Sequence, residues 1–178
     1  LPLIVLSILN FVMSNGLSTW GVKYISAGLA SIIGAIFPLW IVLIGFASGN
    51  TTPPKKAIAG VLIGFSGICV IFYDHLADFI NPDFQFGIFL SLVATLSWAF
   101  GTLYTKKHAK VFNPYFGLGF QMVLAGVVLV SISSFDSGFM ALSEIPAISW
   151  FSILYLVIFG SIIGFSCYLY ALQHLPTE

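Results

Sequence analysis

The 178-residue chain is too apolar for a water-soluble domain, because 59% of its residues are hydrophobic, 7% are charged and the formal net charge is zero. In soluble domains about a quarter of the residues are charged. The composition therefore excludes a soluble globular protein, and the balanced charge excludes the strongly basic surface of a nucleic-acid-binding protein.

Six long uncharged runs follow one another along the chain, at residues 1–22, 24–54, 57–73, 84–105, 111–135 and 145–177. Each roughly meets the ~20 apolar residues that a helix needs to cross a bilayer. The runs lack the two-residue alternation of barrel strands, and only helices or closed barrels satisfy their backbone in lipid. The sequence therefore predicts an all-α, polytopic membrane helix bundle with six transmembrane helices.

Prolines mark where several of these helices begin. The pair Pro53-Pro54 predicts a helix that starts near Lys55, Asn113-Pro114 starts the fifth helix, and Pro146 directly precedes the sixth. Pro38 differs, because it lies inside the second apolar run. There it removes a backbone hydrogen bond, so it predicts a kink.

Most of the basic and acidic residues fall on opposite sides of the predicted membrane. Connections on one side hold five of the six basic residues, namely Lys55, Lys56, Lys106, Lys107 and Lys110. Connections on the other side hold Asp74, Asp78, Asp83, Asp136 and Glu144, with Lys23 as the only cation. By the positive-inside rule the lysine side is cytoplasmic, so the first helix runs from the inside to the outside.

Polar side chains recur at helical spacing inside two of the runs. The first run carries Ser7, Asn10, Ser14 and Ser18, and the fourth carries Ser91, Thr95, Trp98, Thr102 and Thr105. Such faces turn towards the bundle interior or a wet cavity, because polar groups facing lipid are costly. The hydroxyls are equally compatible with bonds that join helices. Asn10 and Gln121 favour a cavity-lining role, since an amide needs partners for both donors and acceptors.

Ser66 lies in Gly64-Phe65-Ser66-Gly67, the pattern around the nucleophile of rhomboid-type intramembrane proteases. A serine nucleophile needs a base within ~3 Å, and none of the histidines is predicted at its depth. The stretch also reads Gly60-x-x-x-Gly64, and Gly160-x-x-x-Gly164 repeats this spacing in the last run. Small residues at this spacing let helices pack closely, so packing is favoured over an intramembrane enzyme that uses Ser66.

No histidine-rich or carboxylate-rich constellation and no phosphate-binding loop occurs, so neither a metal nor a cofactor is expected. A weak internal match relates the end of the first run, WGVKYI at 20–25, to the end of the last, YALQHL at 170–175. The two ends are predicted on opposite sides of the membrane. Inverted repeats of this kind are typical of secondary transporters.

Three stretches carry a resemblance to a known family: WGVKYISAGLASIIGAIFPLW at 20–40 with the following GVLIGFSGICVI, LSLVATLSWAFGTLYTKK at 90–107, and YLYALQHLPTE at the end. The chain resembles EamA-type transporters of the drug/metabolite transporter superfamily. That family has two inverted repeats of five helices. The resemblance implies that this chain corresponds to helices three to eight, with residues 1–79 ending the first repeat and 80–178 beginning the second.

The resemblance also implies a function. It suggests a multi-pass inner-membrane transporter, not an enzyme, that moves small amino-acid-like or drug-like solutes by alternating access, without a cofactor. Partners would be the solute and the bilayer, with no nucleic acid, and a homodimer stays open, as does a non-transporting assembly subunit. The implied pathway residues are Asn10, Ser14, Ser31, Trp98, Thr102 and Tyr168, and the amide argument adds Gln121.

Overall fold

The computed structural model describes residues 2–47, 54–108, 113–135 and 144–174, and within these ranges the chain forms helices and no strands. The longer elements are α1 (Pro2–Leu6), a first π-helical segment (Ser7–Met13), α2 (Ser14–Gly21), α3 (Ala27–Gly34), α4 (Phe37–Ala47), α5 (Lys55–Ile71), α6 (Gln85–His108), α7 (Pro114–Ser134), α8 (Ala147–Tyr155), a second π-helical segment (Leu156–Gly164) and α9 (Phe165–His174). The all-α prediction is confirmed.

The protein is a multi-pass membrane protein. Five helical stretches of the described residues are long and apolar enough to cross a membrane, at Pro2–Gly21, Ala27–Ala47, Pro82–Lys106, Tyr115–Ser134 and Ala147–Ala171. The expected third span, residues 57–73, is represented by the helix Lys55–Ile71, which meets the following segment Tyr73–Ile80 at 85°. The predicted count of six holds if this bent pair is one span.

Short 3₁₀ turns at Tyr73–His75, Ala77–Ile80 and Pro82–Phe84 link α5 to α6, and we call residues 73–84 the α5–α6 connection. The predicted proline starts are confirmed, because α5 follows Pro54, α7 begins at Pro114 and α8 follows Pro146. Asn113 caps α7 by accepting from the backbone N–H of Tyr115 at 3.0 Å. Pro53, the first residue of the proline pair, lies outside the described residues.

The second span is interrupted near Pro38. Helix α3 ends at Gly34 and α4 begins at Phe37, with a turn at Ala35 and Ile36. The ring of a proline clashes with the carbonyl four residues earlier, and here that residue is Gly34. The interruption therefore lies where the proline was expected to kink the helix.

Helix α6 lies at the centre of the bundle and contacts the first span, α3 and α4. At its crossing with α2 the two backbones touch through a pair of glycines. A Cβ on Gly21 would lie 3.0 Å from the Gly87 carbonyl oxygen, and a Cβ on Gly87 would lie 2.8 Å from the Gly21 carbonyl oxygen. Only glycine fits at either position without moving a backbone.

The glycine motifs read from the sequence are placed differently. A Cβ added at Gly60, Gly64 or Gly160 meets nothing within 4 Å, and one at Gly164 comes within 3.2 Å only of Phe159 in the same span. No neighbouring helix packs closely on these glycines in the described part of the chain, and neither α5 nor the second π-helical segment contains a buried residue. Their role in helix packing stays a prediction.

Candidate functional site

The two amides singled out in the sequence meet inside the bundle. Asn10, in the first π-helical segment, directs its Nδ2 to Oε1 of Gln121 in α7 at 3.5 Å. Gln121 Nε2 in turn donates to the Gly117 carbonyl oxygen at 2.9 Å. Both side chains are buried, with exposed fractions of 8% and 5%. Two uncharged amide side chains therefore pair inside the bundle.

Neighbouring helices hold the first π-helical segment, which carries Asn10. Ser7 Oγ donates to the Gln121 carbonyl oxygen at 2.8 Å, which ties the segment to α7. Ser97 Oγ donates to the Leu9 carbonyl oxygen at 2.8 Å, which ties it to α6. A π turn shifts backbone bonding to the fifth residue, and such turns are frequent at functional sites. Two serine hydroxyls thus attach the segment to two different helices.

The side-chain oxygen of Asn10 packs closely against a neighbouring helix and forms no hydrogen bond with the described residues. Its Oδ1 lies against Gly101 of α6, where any Cβ would overlap it. This buried oxygen has no hydrogen-bond partner in the described part of the chain. An unsatisfied buried acceptor costs about 1–3 kcal/mol, so the atom marks a position where a hydrogen-bond donor is favoured.

Four aromatic rings pack beside this pair. Phe11, which follows Asn10, has its ring centroid 6.2 Å from that of Trp98 and 5.6 Å from that of Phe165. Trp98 and Tyr168 are 6.3 Å apart. The Tyr168 hydroxyl and Thr102 Oγ1 lie 3.1 Å apart and share a hydrogen bond. The rings join the first span, α6 and α9, with one polar bond at the edge of the cluster.

Most of the predicted pathway residues therefore fall into two adjoining groups. Asn10 pairs with Gln121, Tyr168 contacts both Trp98 and Thr102, and Ser14 is buried with 8% of its surface exposed. Ser31 lies apart from both groups. It is exposed, and its hydroxyl donates to the Ala27 carbonyl oxygen of its own helix at 2.9 Å.

Several residues of the site were not singled out from the sequence. Phe11 and Phe165 complete the ring cluster, Ser97 supports the π turn, and Gly101 makes room for Asn10. Ser7 was found as part of a polar stripe, and the structure adds its partner. Single Phe, Ser and Gly residues in an apolar run carry no local signal that separates such roles from ordinary packing.

An open apolar groove of about 510 Å³ lies elsewhere, between α5 and the second span. Its lining residues are Ala35, Pro38, Ala57, Gly60, Val61, Gly64, Phe65 and Ile68. Pro38 and the two glycines thus face one shared open space. The groove offers no charged side chain for binding a polar solute.

We expect Ser66→Ala to leave both thermal stability and activity nearly unchanged. Ser66 is exposed, and its hydroxyl donates to the Leu62 carbonyl oxygen of its own helix at 2.8 Å. Losing such a local bond at an exposed site changes stability by less than about 0.5 kcal/mol. Thermal unfolding in detergent and solute flux in vesicles measure the two effects. Loss of activity in a stably folded variant would restore the nucleophile hypothesis.

Comparison with known proteins gives a consistent set of matches. The EamA-like transporter family matches residues 1–73 and 85–178. The chain is 31% identical over 166 residues to the uncharacterized transporter YvbV of Bacillus subtilis, covering 90% of this chain and 52% of the relative. It is 30% identical over 172 residues to the uncharacterized inner membrane transporter YedA of Escherichia coli K12, covering 95% and 53%.

A plant protein also matches. The WAT1-related protein At3g02690, chloroplastic, of Arabidopsis thaliana is 29% identical over 163 residues, which covers 88% of this chain and 39% of the relative. The chain thus spans about half the length of the bacterial relatives. No solved structure matches it significantly.

Proposed function

This chain belongs to the EamA-like transporter family, and from that membership we propose that it moves small organic metabolites, amino-acid-like or drug-like, by alternating access. Transport rather than catalysis is part of the proposal. We also propose the inner (plasma) membrane as its location, supported by the name of the Escherichia coli relative. A homodimer stays a prediction.

The buried Asn10–Gln121 pair is the observation that carries this proposal. Polar groups inside a membrane span are costly, so those that occur there face the bundle interior, pair with one another and mark solute pathways. In the proposal Asn10, Ser14 and Gln121 give directional hydrogen bonds to the solute, and Asn10 Oδ1 accepts from it. Trp98, Tyr168 and Thr102 form the adjoining wall. Ser31 would reach the pathway only in another conformation, because here its hydroxyl bonds its own helix.

Alternating access requires two parts that move against each other. We propose residues 1–79 and 80–178 as parts of two inverted repeats, with the interruption before Pro38 as a bending point. The open space beside Gly60 and Gly64 supports such bending, because a helix can move there without steric overlap. Gly160 also has open space beside it, and Gly164 meets only its own span.

Flux measurements on the full-length protein in vesicles test this function. A panel of amino acids, amines and small aromatic solutes is screened for uptake and efflux. Asn10→Leu, which keeps the branching of the side chain and removes its polar atoms, should lower the flux of the transported solute at least tenfold, since one lost buried hydrogen bond is worth ~1.4 kcal/mol. Ser131→Ala is the matched control, because Ser131 is exposed and bonds its own helix. Absence of flux across the panel, or equal flux in Asn10→Leu, contradicts the proposal.

The orientation has its own test. In a cysteine-free background, we expect Lys55→Cys to be protected from an impermeant thiol reagent in intact cells and Asp74→Cys to be labelled. Both positions are exposed, so their access depends on the side of the membrane and not on burial. The positive-inside rule predicts that Lys55 lies inside. The reverse labelling pattern would invert the predicted topology.

We expect flux to follow the solute gradient and to ignore an imposed pH gradient. The described acidic residues, Asp74, Asp78, Asp83 and Glu144, lie outside the α-helices and the π-helical segments. Proton-driven transporters commonly relay protons through a carboxylate or histidine inside the membrane. Vesicle flux with and without a pH gradient measures this. Accumulation that collapses on adding a protonophore would show proton coupling.

A further inference from the structure

Three polar side chains from two distant parts of the chain meet at one end of the bundle. Ser26 precedes α3, whereas His75 and Asp78 belong to the α5–α6 connection. The Ser26 Oγ lies 3.1 Å from His75 Nδ1 and 3.4 Å from Asp78 Oδ2. His75 Nδ1 and Asp78 Oδ2 are 3.0 Å apart. The contact therefore attaches the connection to the start of the second span.

The hydrogen bonds of this cluster are mutually compatible. Asp78 Oδ2 accepts from the Ser26 hydroxyl and from His75 when Nδ1 carries a proton. Ser26 Oγ accepts from the Leu29 backbone N–H at 3.2 Å and so also caps α3. The His75 ring lies over Gly28, where a Cβ would overlap it. Glycine at that position is what lets the ring reach Ser26.

The cluster is not arranged for nucleophilic catalysis. A hydrolytic triad places the serine and the carboxylate on different nitrogens of the imidazole, so that a proton can pass through the ring. Here Ser26 and Asp78 both contact Nδ1. A role in holding parts of the chain together fits this geometry, and a proton relay does not.

An apolar seal lies next to these polar groups. Ile25, Leu29, Ile33 and Ile88 form a buried cluster, and Phe79 and Phe84 of the α5–α6 connection pack against it. The seal joins the second span to α6, which are two of the elements proposed to line the pathway. The positive-inside rule predicts that this end of the bundle lies outside. The connection thus covers the outer ends of these spans.

We propose that Ser26, His75 and Asp78 form an outer latch, which holds the α5–α6 connection over the seal and must open before a solute from outside can reach Asn10. The latch rests on the proposed transport function. It assigns a positioning role to residues that do not contact the solute. The apolar seal closes the outer end, and the latch sets how often that end opens.

Access of a buried reporter thiol tests the latch without knowledge of the solute. The reporter is Ser14→Cys in the full-length protein with Cys69→Ala, Cys167→Ala and any further cysteines removed. Ser14 lies one turn from Asn10 towards the outer end and is 8% exposed. An impermeant thiol reagent is applied to intact cells. Breaking the latch should speed labelling about fivefold, because the lost hydrogen bonds are worth roughly 1 kcal/mol.

Two variants break the latch in different ways. His75→Phe keeps a ring over Gly28 and removes Nδ1, and Asp78→Ala removes the shared acceptor. Asp83→Ala is the matched control, because Asp83 is an exposed acid on the same connection and outside the latch. Ile32→Cys serves as a second reporter, because Ile32 is 1% exposed in the parent. It should stay unlabelled in each variant, which distinguishes opening of the latch from unfolding of the protein.

The outcomes separate this inference from the proposed function. Faster labelling in both latch variants and not in Asp83→Ala supports the latch. Equal labelling rates in all three variants and the parent overturn the latch. The proposed function still stands in that case if the reagent labels the reporter from the cytoplasmic side, which inverted vesicles expose. A reporter that is labelled from neither side in any variant overturns both, since no pathway then passes Ser14.

Discussion

Gly87→Leu is expected to prevent stable folding of the bundle. A Cβ at Gly87 would lie 2.8 Å from the Gly21 carbonyl oxygen, 2.9 Å from Tyr24 Cβ and 2.7 Å from Ile25 Cγ2. The first two neighbours are parts of the chain that cannot rotate away, so α2 and α6 must separate. Overpacking of a well-packed core costs about 1–3 kcal/mol, and a leucine against backbone should reach or exceed the upper end. The measurements are the yield of monodisperse protein in detergent and its thermal unfolding.

Gly126→Leu is the matched control for this substitution. Gly126 is also a helical glycine, in α7, but a Cβ there meets nothing within 4 Å. The two variants make the same chemical change and differ in what surrounds it. A Gly87→Leu protein as stable as Gly126→Leu would show that α2 and α6 do not cross at Gly21 and Gly87.

This crossing illustrates what the sequence could not predict. The spacing Gly60-x-x-x-Gly64 suggested a contact because both glycines lie on one face of one helix. Gly21 and Gly87 lie on different helices, so no pattern within either helix marks them as a pair. Their contact depends on where two spans cross, which is a property of the assembled bundle.

Structural features that depend on residues close together in the sequence were predicted well. The starts of α5, α7 and α8 follow from prolines, which lack a backbone donor and are tolerated in a first helical turn. The apolar runs predicted the spans because bilayer thickness sets helix length. The bend after Ile71 was not predicted, since run length gives no information on direction.

The candidate site was predicted in part. Asn10 and Gln121 were each selected because a buried amide needs partners, and the structure brings them together although they are 111 residues apart. The π turn around Asn10 has no local signal, because it depends on Ser97 and Ser7 bonding groups on other helices. Ser31 came from the resemblance; it is exposed and bonds its own helix here, so its place in the pathway stays a prediction.

Gly101→Ala is expected to lower flux at least tenfold while the protein still folds. The added methyl would overlap Asn10 Oδ1, which lies at the end of a side chain and can move away. Folding should therefore lose only ~1 kcal/mol or so, as for a tolerated overpacking. The amide would however leave Gln121, so the geometry proposed for solute binding would be lost. Gly119→Ala, where a Cβ meets nothing within 4 Å, is the control.

A double-mutant cycle shows whether this loss passes through Asn10. If Gly101→Ala acts by displacing the Asn10 amide, it should have little further effect once Asn10→Ala has removed that amide. Flux through the double variant should then match that of Asn10→Ala alone, a strongly non-additive result. If the two substitutions acted independently, their fold-losses of flux would multiply. A double variant with much lower flux than either single variant would therefore mean that Gly101 acts through α6 itself. In that case the close fit between Asn10 and Gly101 would be a packing contact and not part of the pathway.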